Sequence, residues 1–252
     1  MHPPPPIPAD FAKTGLVVLR PAGAPPVTRY QVLGERSSGT NLVKRLLGRN
    51  SDLAPSEELG WKHGFVQCLA VPPDLAVICA VRAPEAWALS MFAKPWHTPP
   101  RMQQLAFSDF IRAEWDTVID RPRYFGGAQA IAGQPLLQDR DPVSGARFAN
   151  LFALRRAKLA HLLGWLNRDA TVALLRAEAA QEDPRALTEA LLRGLGQPPR
   201  ETFRPVVKRL GSKFAPAVAD RPASPSEISA ADRAFMWSQL DPGAEAALGY
   251  AP

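Results

Sequence analysis

Short apolar runs alternate along the chain with amphipathic stretches, and glycine and proline punctuate the joins. Residues 16 to 19 and 30 to 33 are brief, β-prone runs split by a Pro/Gly turn over residues 21 to 26, and they predict two strands. Residues 42 to 47, Leu-Val-Lys-Arg-Leu-Leu, predict an amphipathic helix ending near Gly48. The run Leu75-Ala-Val-Ile-Cys-Ala-Val81 has no polar member, as in a central parallel strand buried on both faces. Pro84 suits the first turn of a helix that continues through Trp87, Ser90 and Met91. Residues 94 to 150 hold Pro95, Pro99, Pro100, Pro122, Pro135 and Pro142, with Gly126-Gly127 between them, and predict an irregular lid or binding segment. Helical periodicity returns over 150 to 167, with Leu159, Leu162, Leu163 and Leu166 on one side. Residues 171 to 175 predict a strand, and Asp183-Pro184 opens a helix that closes near Gly194. Ser229-Ala-Ala-Asp232 is a capping box with Asp in place of the usual Glu, and it starts the last helix. Strands alternating with helices predict an α/β fold in three layers, a central mainly parallel sheet flanked by helices.

At 252 residues, 46% apolar, the chain has material for one cored domain, expected over residues 15–252 behind a Pro-rich tail at 1–14. Cys68 and Cys79 are too few for a disulfide framework or a structural zinc site, and both fall in apolar stretches, so two buried thiols are expected. No uncharged apolar stretch is long enough for a membrane-spanning helix. The start, Met1-His-Pro-Pro-Pro-Pro-Ile-Pro, lacks the basic and apolar segments of a secretory signal, and a cytoplasmic location is the expectation. Thirty Lys and Arg against twenty-four Asp and Glu leave a net charge of +6, which favours anionic ligands. That excess is modest for this length, and no helix-turn-helix, zinc or RNA-binding signature accompanies it, so nucleic acid is not the expected partner.

The informative segment is Gly34-Glu-Arg-Ser-Ser-Gly-Thr-Asn41, which follows a strand and opens a helix. Gly34 and Gly39 have the G-x-x-x-x-G spacing of a phosphate-binding loop, but Thr40 and Asn41 stand where the nucleotide P-loop has Lys and Ser/Thr. Backbone amides and the helix dipole still favour an anion there, by roughly 0.3–1 kcal/mol per interaction. The Lys that reaches the outer phosphates and the hydroxyl that holds Mg²⁺ are missing, and the strand ending at Val81 leads into Arg82 rather than a metal-binding Asp. The loop is therefore suited to holding a phosphate and poorly equipped for metal-dependent cleavage of a triphosphate.

Arg36, Ser37, Ser38, Gly39 and Thr40 resemble the 5′-phosphosulfate loop of sulfotransferases that use 3′-phosphoadenosine-5′-phosphosulfate (PAPS). Val81-Arg-Ala-Pro-Glu-Ala-Trp-Ala-Leu-Ser90 is similar to that family's second signature, in which an Arg at a strand end and a Ser eight residues on bind the 3′-phosphate. Arg82 and Ser90 match those positions. Val172-Ala-Leu-Leu-Arg-Ala-Glu178 with Asp183-Pro184 and Leu191-Leu-Arg-Gly-Leu-Gly196, Val207-Lys-Arg-Leu-Gly-Ser-Lys213, and Ala247-Leu-Gly-Tyr250 resemble later segments in the same order. The resemblance implies a P-loop-like fold, PAPS as co-substrate without a metal, and a small-molecule or glycan acceptor. It implies cofactor contacts from Arg36, Ser37, Ser38, Gly39, Thr40, Asn41, Arg82, Ser90, Lys208, Arg209 and Gly211. The chain departs from the family at Ser37, where a Lys or Arg is common; here the basic residue is Arg36, one step earlier.

Sulfuryl transfer needs cations on the sulfonyl and bridging oxygens, a base for the acceptor and a clamp on the nucleotide. Arg36 and Lys62 are the candidate cations, one a planar fork and the other a mobile point charge. His63, in Trp61-Lys-His-Gly64, is the candidate base, with His97 and Glu35 as rivals. Trp96, Trp115, Tyr124 and Phe125 in the lid are candidate stacking faces for an acceptor, and Arg101, Arg121, Arg123 and Arg140 are candidate anion contacts. Trp87 is read as core. The competing classes are a P-loop kinase or NTPase with a degenerate loop, and a basic nucleotide-binding relative without catalysis.

Overall fold

The computed structural model describes residues 7–127, 129–207, 211 and 213–252. The chain divides into two compact units: residues 1–83, 159–210 and 242–251, and residues 84–158 and 211–241 with Pro252.

The first unit is built on a five-stranded, mostly parallel mixed sheet in the order β1-β5-β4-β2-β3. Its strands are β1 (Leu16–Leu19), β2 (Arg29–Gly34), β3 (Ala54–Pro55), β4 (Leu75–Val81) and β5 (Val172–Arg176). All seven residues of β4 are buried, as its unbroken apolar run predicts. β1 is the antiparallel member and forms one edge, pairing Leu16 with Leu175 through Leu19 with Val172.

α1 (Phe11–Thr14) is a single turn whose Phe11 is fully buried, so packing begins inside the stretch expected to be a tail. α2 (Thr40–Asn50) buries Val43, Leu46, Leu47 and Asn50, an i, i+3, i+4, i+7 stripe. That stripe and α8 (Pro184–Gly194) cover one face of the sheet. There Val43, Leu47, Leu191 and Leu192 pack with the alternate strand residues Tyr30, Val32, Ala76, Ile78, Ala80, Ala173 and Leu175. Asp183 caps α8 by accepting the Ala186 N–H at 2.8 Å, with Pro184 at its first position. On the other face the Cys79 thiol lies 3.8 Å from the Leu162 carbonyl, in the end of α6 (Leu151–Leu163), so the sheet lies between helical layers. Burial raises the Cys79 pKa to about 12, while Cys68, which falls in a loop, is only half-buried. α7 (Ala177–Glu182) and α10 (Pro242–Ala247) complete this unit.

The second unit holds α3 (Pro84–Ala93), α4 (Pro100–Gln103), α5 (Phe107–Arg112) and α9 (Ala230–Gln239), with the first part of α6. Phe92 meets Phe107 and Phe110 at ring distances of 5.4 and 5.3 Å, and Phe110 meets Trp115 at 5.7 Å, so aromatic packing replaces a sheet as the core. Ser229 accepts the Asp232 N–H at 3.1 Å and starts α9 as the capping box predicts. The expected lid is therefore not structureless: α4 and α5 lie within residues 94 to 150, and Pro100 opens α4 rather than abolishing helix. The helix expected over 150 to 167 tightens into a 3-10 turn at Gly164–Asn167, which turns Trp165 and Leu166 inward.

Among the described residues no helix is long and apolar enough to cross a membrane.

Candidate functional site

Three parallel strands end together. Gly34 pairs with Ala80 and Val81 with Arg176, which aligns the carboxyl ends of β2, β4 and β5. The chain leaves β2 toward β3 on one side of the strand order and leaves β4 toward β5 on the other. In open α/β sheets ligands bind at such a reversal, outside the carboxyl ends.

The loop after β2 is tightly wound. Ser37 and Gly39 have φ of 65° and 88°, and Ser37 is one of two non-glycine residues with positive φ among those described, His97 being the other. The Ser38 N–H and hydroxyl both donate to the Glu35 carbonyl, at 3.2 and 2.8 Å, and turn Ser38 inward. A left-handed non-glycine residue costs on the order of 1–3 kcal/mol and persists only where neighbours hold it. Arg82 does so: its Nη1 donates to the Ser37 carbonyl at 3.0 Å. α2 then opens at Thr40 with Gly39 as its N-cap and no side chain capping it. Its first-turn amides and positive dipole end face the loop, the arrangement that receives oxyanions. Glu35, Ser38 and Thr40 are buried, and so is Arg36, whose guanidinium lies 5.8 Å from the Trp61 ring centre.

Lys62 and His63 reach the loop through an anchor in β2. The buried Gln31 side chain donates to the Gly60 carbonyl at 2.9 Å and accepts the Leu59 N–H at 2.9 Å. The Gly34 N–H then donates to the Lys62 carbonyl at 3.0 Å, so the β3–β4 connection runs on along β2. Lys62 Nζ donates to Asn41 Oδ1 at 2.6 Å, which sets an ammonium beside the first turn of α2. Burial, reinforced by the Lys44 ammonium and opposed by Glu57, lowers the Lys62 pKa to about 8. His63 Nδ1 lies 2.7 Å from the Gly34 carbonyl, which can only accept. Nδ1 therefore carries the proton, and in the neutral ring Nε2 is the basic nitrogen. Replacing Gln31 with leucine is expected to cost about 2 kcal/mol in urea denaturation, because the buried Leu59 N–H loses its acceptor.

At the β4 end, the Ala83 N–H donates to Glu178 Oε1 at 2.9 Å, and the Tyr250 hydroxyl donates to Glu178 Oε2 at 3.0 Å. Arg176 lies 4.6 Å over the Tyr250 ring. Burial and the Glu178 carboxylate both raise the Tyr250 pKa, so its hydroxyl remains a donor. Burial lowers the Arg82 pKa, with Glu178 opposing. Glu178 and Tyr250 carried only the resemblance of their segments in the sequence; their bracing of the chain beside Arg82 has no local signal. Trp61 was likewise not singled out as a neighbour of Arg36.

The structure thus brings together Glu35, Arg36, Ser37, Ser38, Gly39, Thr40, Asn41, Lys62, His63 and Arg82 in the first unit. Ser90 is half-buried on α3 of the second unit, and Gly211 belongs to the same unit, with a φ of 77°. Lys208 and Arg209 lie outside the described residues. Trp87 is core, 5.1 Å from the Arg155 guanidinium. Among the lid candidates, Trp115 is fully buried, which removes it from any exposed stacking face. Arg101 and Arg140 both bond to Asp116, and Arg121 lies 4.7 Å over Trp96. His97 is buried with Nδ1 2.6 Å from Asp120 Oδ1, among Trp96, Tyr124 and Phe125. No protein-family model, curated protein or solved structure matches this chain.

Proposed function

We propose that the chain is a P-loop-like sulfotransferase that moves the sulfonyl group of PAPS to a hydroxyl or amine of an acceptor. The observation that carries the reading is the bond from Arg82, at the end of β4, to the left-handed Ser37 carbonyl in the glycine loop. It joins in one place the two segments that resemble the family's 5′-phosphosulfate and 3′-phosphate signatures. In this reading the amides of the loop and the start of α2 hold the 5′ end, while Arg36 and Lys62 place positive charge where the departing phosphate oxygen gains negative charge. Arg82 holds the 3′-phosphate. His63 Nε2 takes the acceptor's proton as the new oxygen–sulfur or nitrogen–sulfur bond forms and the bond from sulfur to the bridging oxygen breaks.

Calorimetry with adenosine 3′,5′-bisphosphate in EDTA tests the assignment: binding without metal is expected, and folded protein that binds only Mg²⁺–ATP would overturn it. The pH dependence adds a residue-level check. Lys62 loses its proton as pH rises through about 8. Bisphosphate affinity is therefore expected to fall between pH 7 and 9, and to stay flat in Lys62→Arg, whose guanidinium keeps its charge. Stability moves the other way. An unfolded Lys titrates near 10.4, so between about 8 and 10 the unfolded chain binds the extra proton and Lys62 adds stability as pH rises.

A further inference from the structure

Opposite its buried stripe, α2 presents a second face. Asn41, Lys44, Arg45, Gly48 and Arg49 fall at i, i+3, i+4, i+7 and i+8 and line a groove of about 460 Å³, within the range of small-ligand sites. Tyr30 and Pro55 form the rest of its lining. The groove is strongly basic. Lys44 pairs with Glu57 at 2.7 Å, but the Arg45 and Arg49 guanidinium groups bond to no described residue. Several other arginines of the same unit pair with carboxylates: Arg29 with Asp74 and Glu58, Arg185 and Arg193 with Glu189, and Arg200 with Asp52. Gly48, exposed in a helix interior where alanine would be favoured, keeps the floor open: a Cβ there would lie 3.4 Å from the Tyr30 hydroxyl.

We propose that this groove binds an acidic glycan, a carbohydrate chain bearing carboxylate or sulfate groups, through Lys44, Arg45 and Arg49. Lys44 to Arg49 spans about 7.5 Å of helix, so the three cations can meet more than one oxyanion along one strand of ligand. The Tyr30 ring is buried, its hydroxyl is spent on the Lys44 carbonyl at 2.9 Å, and no aromatic face is offered to a nucleobase. None of the large apolar side chains exposed among the described residues lines the groove, so an acyl chain has no seat. A saturated, polar, anionic chain is the ligand these walls fit. The site is separate from the glycine loop, sharing Asn41 with it, and it binds without turnover.

Fluorescence anisotropy tests this with labelled oligogalacturonate and a chondroitin sulfate oligosaccharide, against neutral dextran oligosaccharide, single-stranded DNA of equal charge and anionic phosphatidylglycerol vesicles. The wild-type protein is expected to bind at least one acidic oligosaccharide and not the neutral one. Arg45→Gln/Arg49→Gln should weaken that binding about tenfold with the melting temperature unchanged. Gly48→Ala, which fills the floor without altering charge, should weaken it as well. Absence of acidic-oligosaccharide binding, an unaffected double variant, or DNA or vesicles bound as tightly would overturn the proposal. Unchanged affinity in Gly48→Ala would reduce the groove to general surface attraction and overturn it too.

Discussion

An Arg82→Ala variant is expected to bind adenosine 3′,5′-bisphosphate about 100-fold more weakly than the wild type, a loss of about 2.7 kcal/mol. Two contributions add up to that figure. On the proposed reading the variant loses a charge-assisted contact to phosphate, and it releases the Ser37 carbonyl that the guanidinium holds at 3.0 Å in a left-handed turn. Arg82→Lys separates the two, because an ammonium keeps the charge but not the planar fork, and it should recover only part of the affinity. Circular dichroism and the thermal midpoint establish that the variants are folded. A folded Arg82→Ala protein that binds within about threefold of the wild type would sink the assignment.

The second large effect is structural. Gly34→Ala should lower stability by about 3–4 kcal/mol in urea titration and remove anion binding with it. Its Cβ would lie 2.5 Å from the Ala80 carbonyl oxygen, 2.6 Å from Ser38 Oγ and 2.9 Å from Thr40 Cγ2. Ala80 belongs to the fully buried β4 and is paired in register with Gly34, so the carbonyl has nowhere to retreat. Here glycine is required by close approach of two strands, not by a left-handed backbone. Gly48→Ala is the internal contrast: in a helix, with its new methyl in ordinary contact, it should hold or raise stability by up to about 1 kcal/mol.

What local pattern could reveal follows from what each element needs. β4 and β5 are buried apolar runs, α2 shows its stripe, and α8 and α9 carry capping residues, so all were visible as sequence. The glycine loop was visible because its spacing is local and its context is strand then helix. The means of bringing Lys62 and His63 to that loop was not. Gln31 is one polar residue inside an apolar strand, and nothing nearby says that its amide receives a loop some thirty residues later. The antiparallel edge of β1 is hidden for a similar reason, since strand direction is set by the partner β5, remote in sequence. Within the lid, proline density hid α4, because proline at a first turn permits the helix that follows.

The bond from Tyr250 to Glu178 has a temporal side. Glu178 fastens the chain immediately after Arg82, yet the hydroxyl that completes its coordination comes 72 residues later. Vectorial synthesis on a ribosome therefore leaves the chain beside Arg82 without this brace until that tyrosine has emerged, after every strand of the sheet has been made.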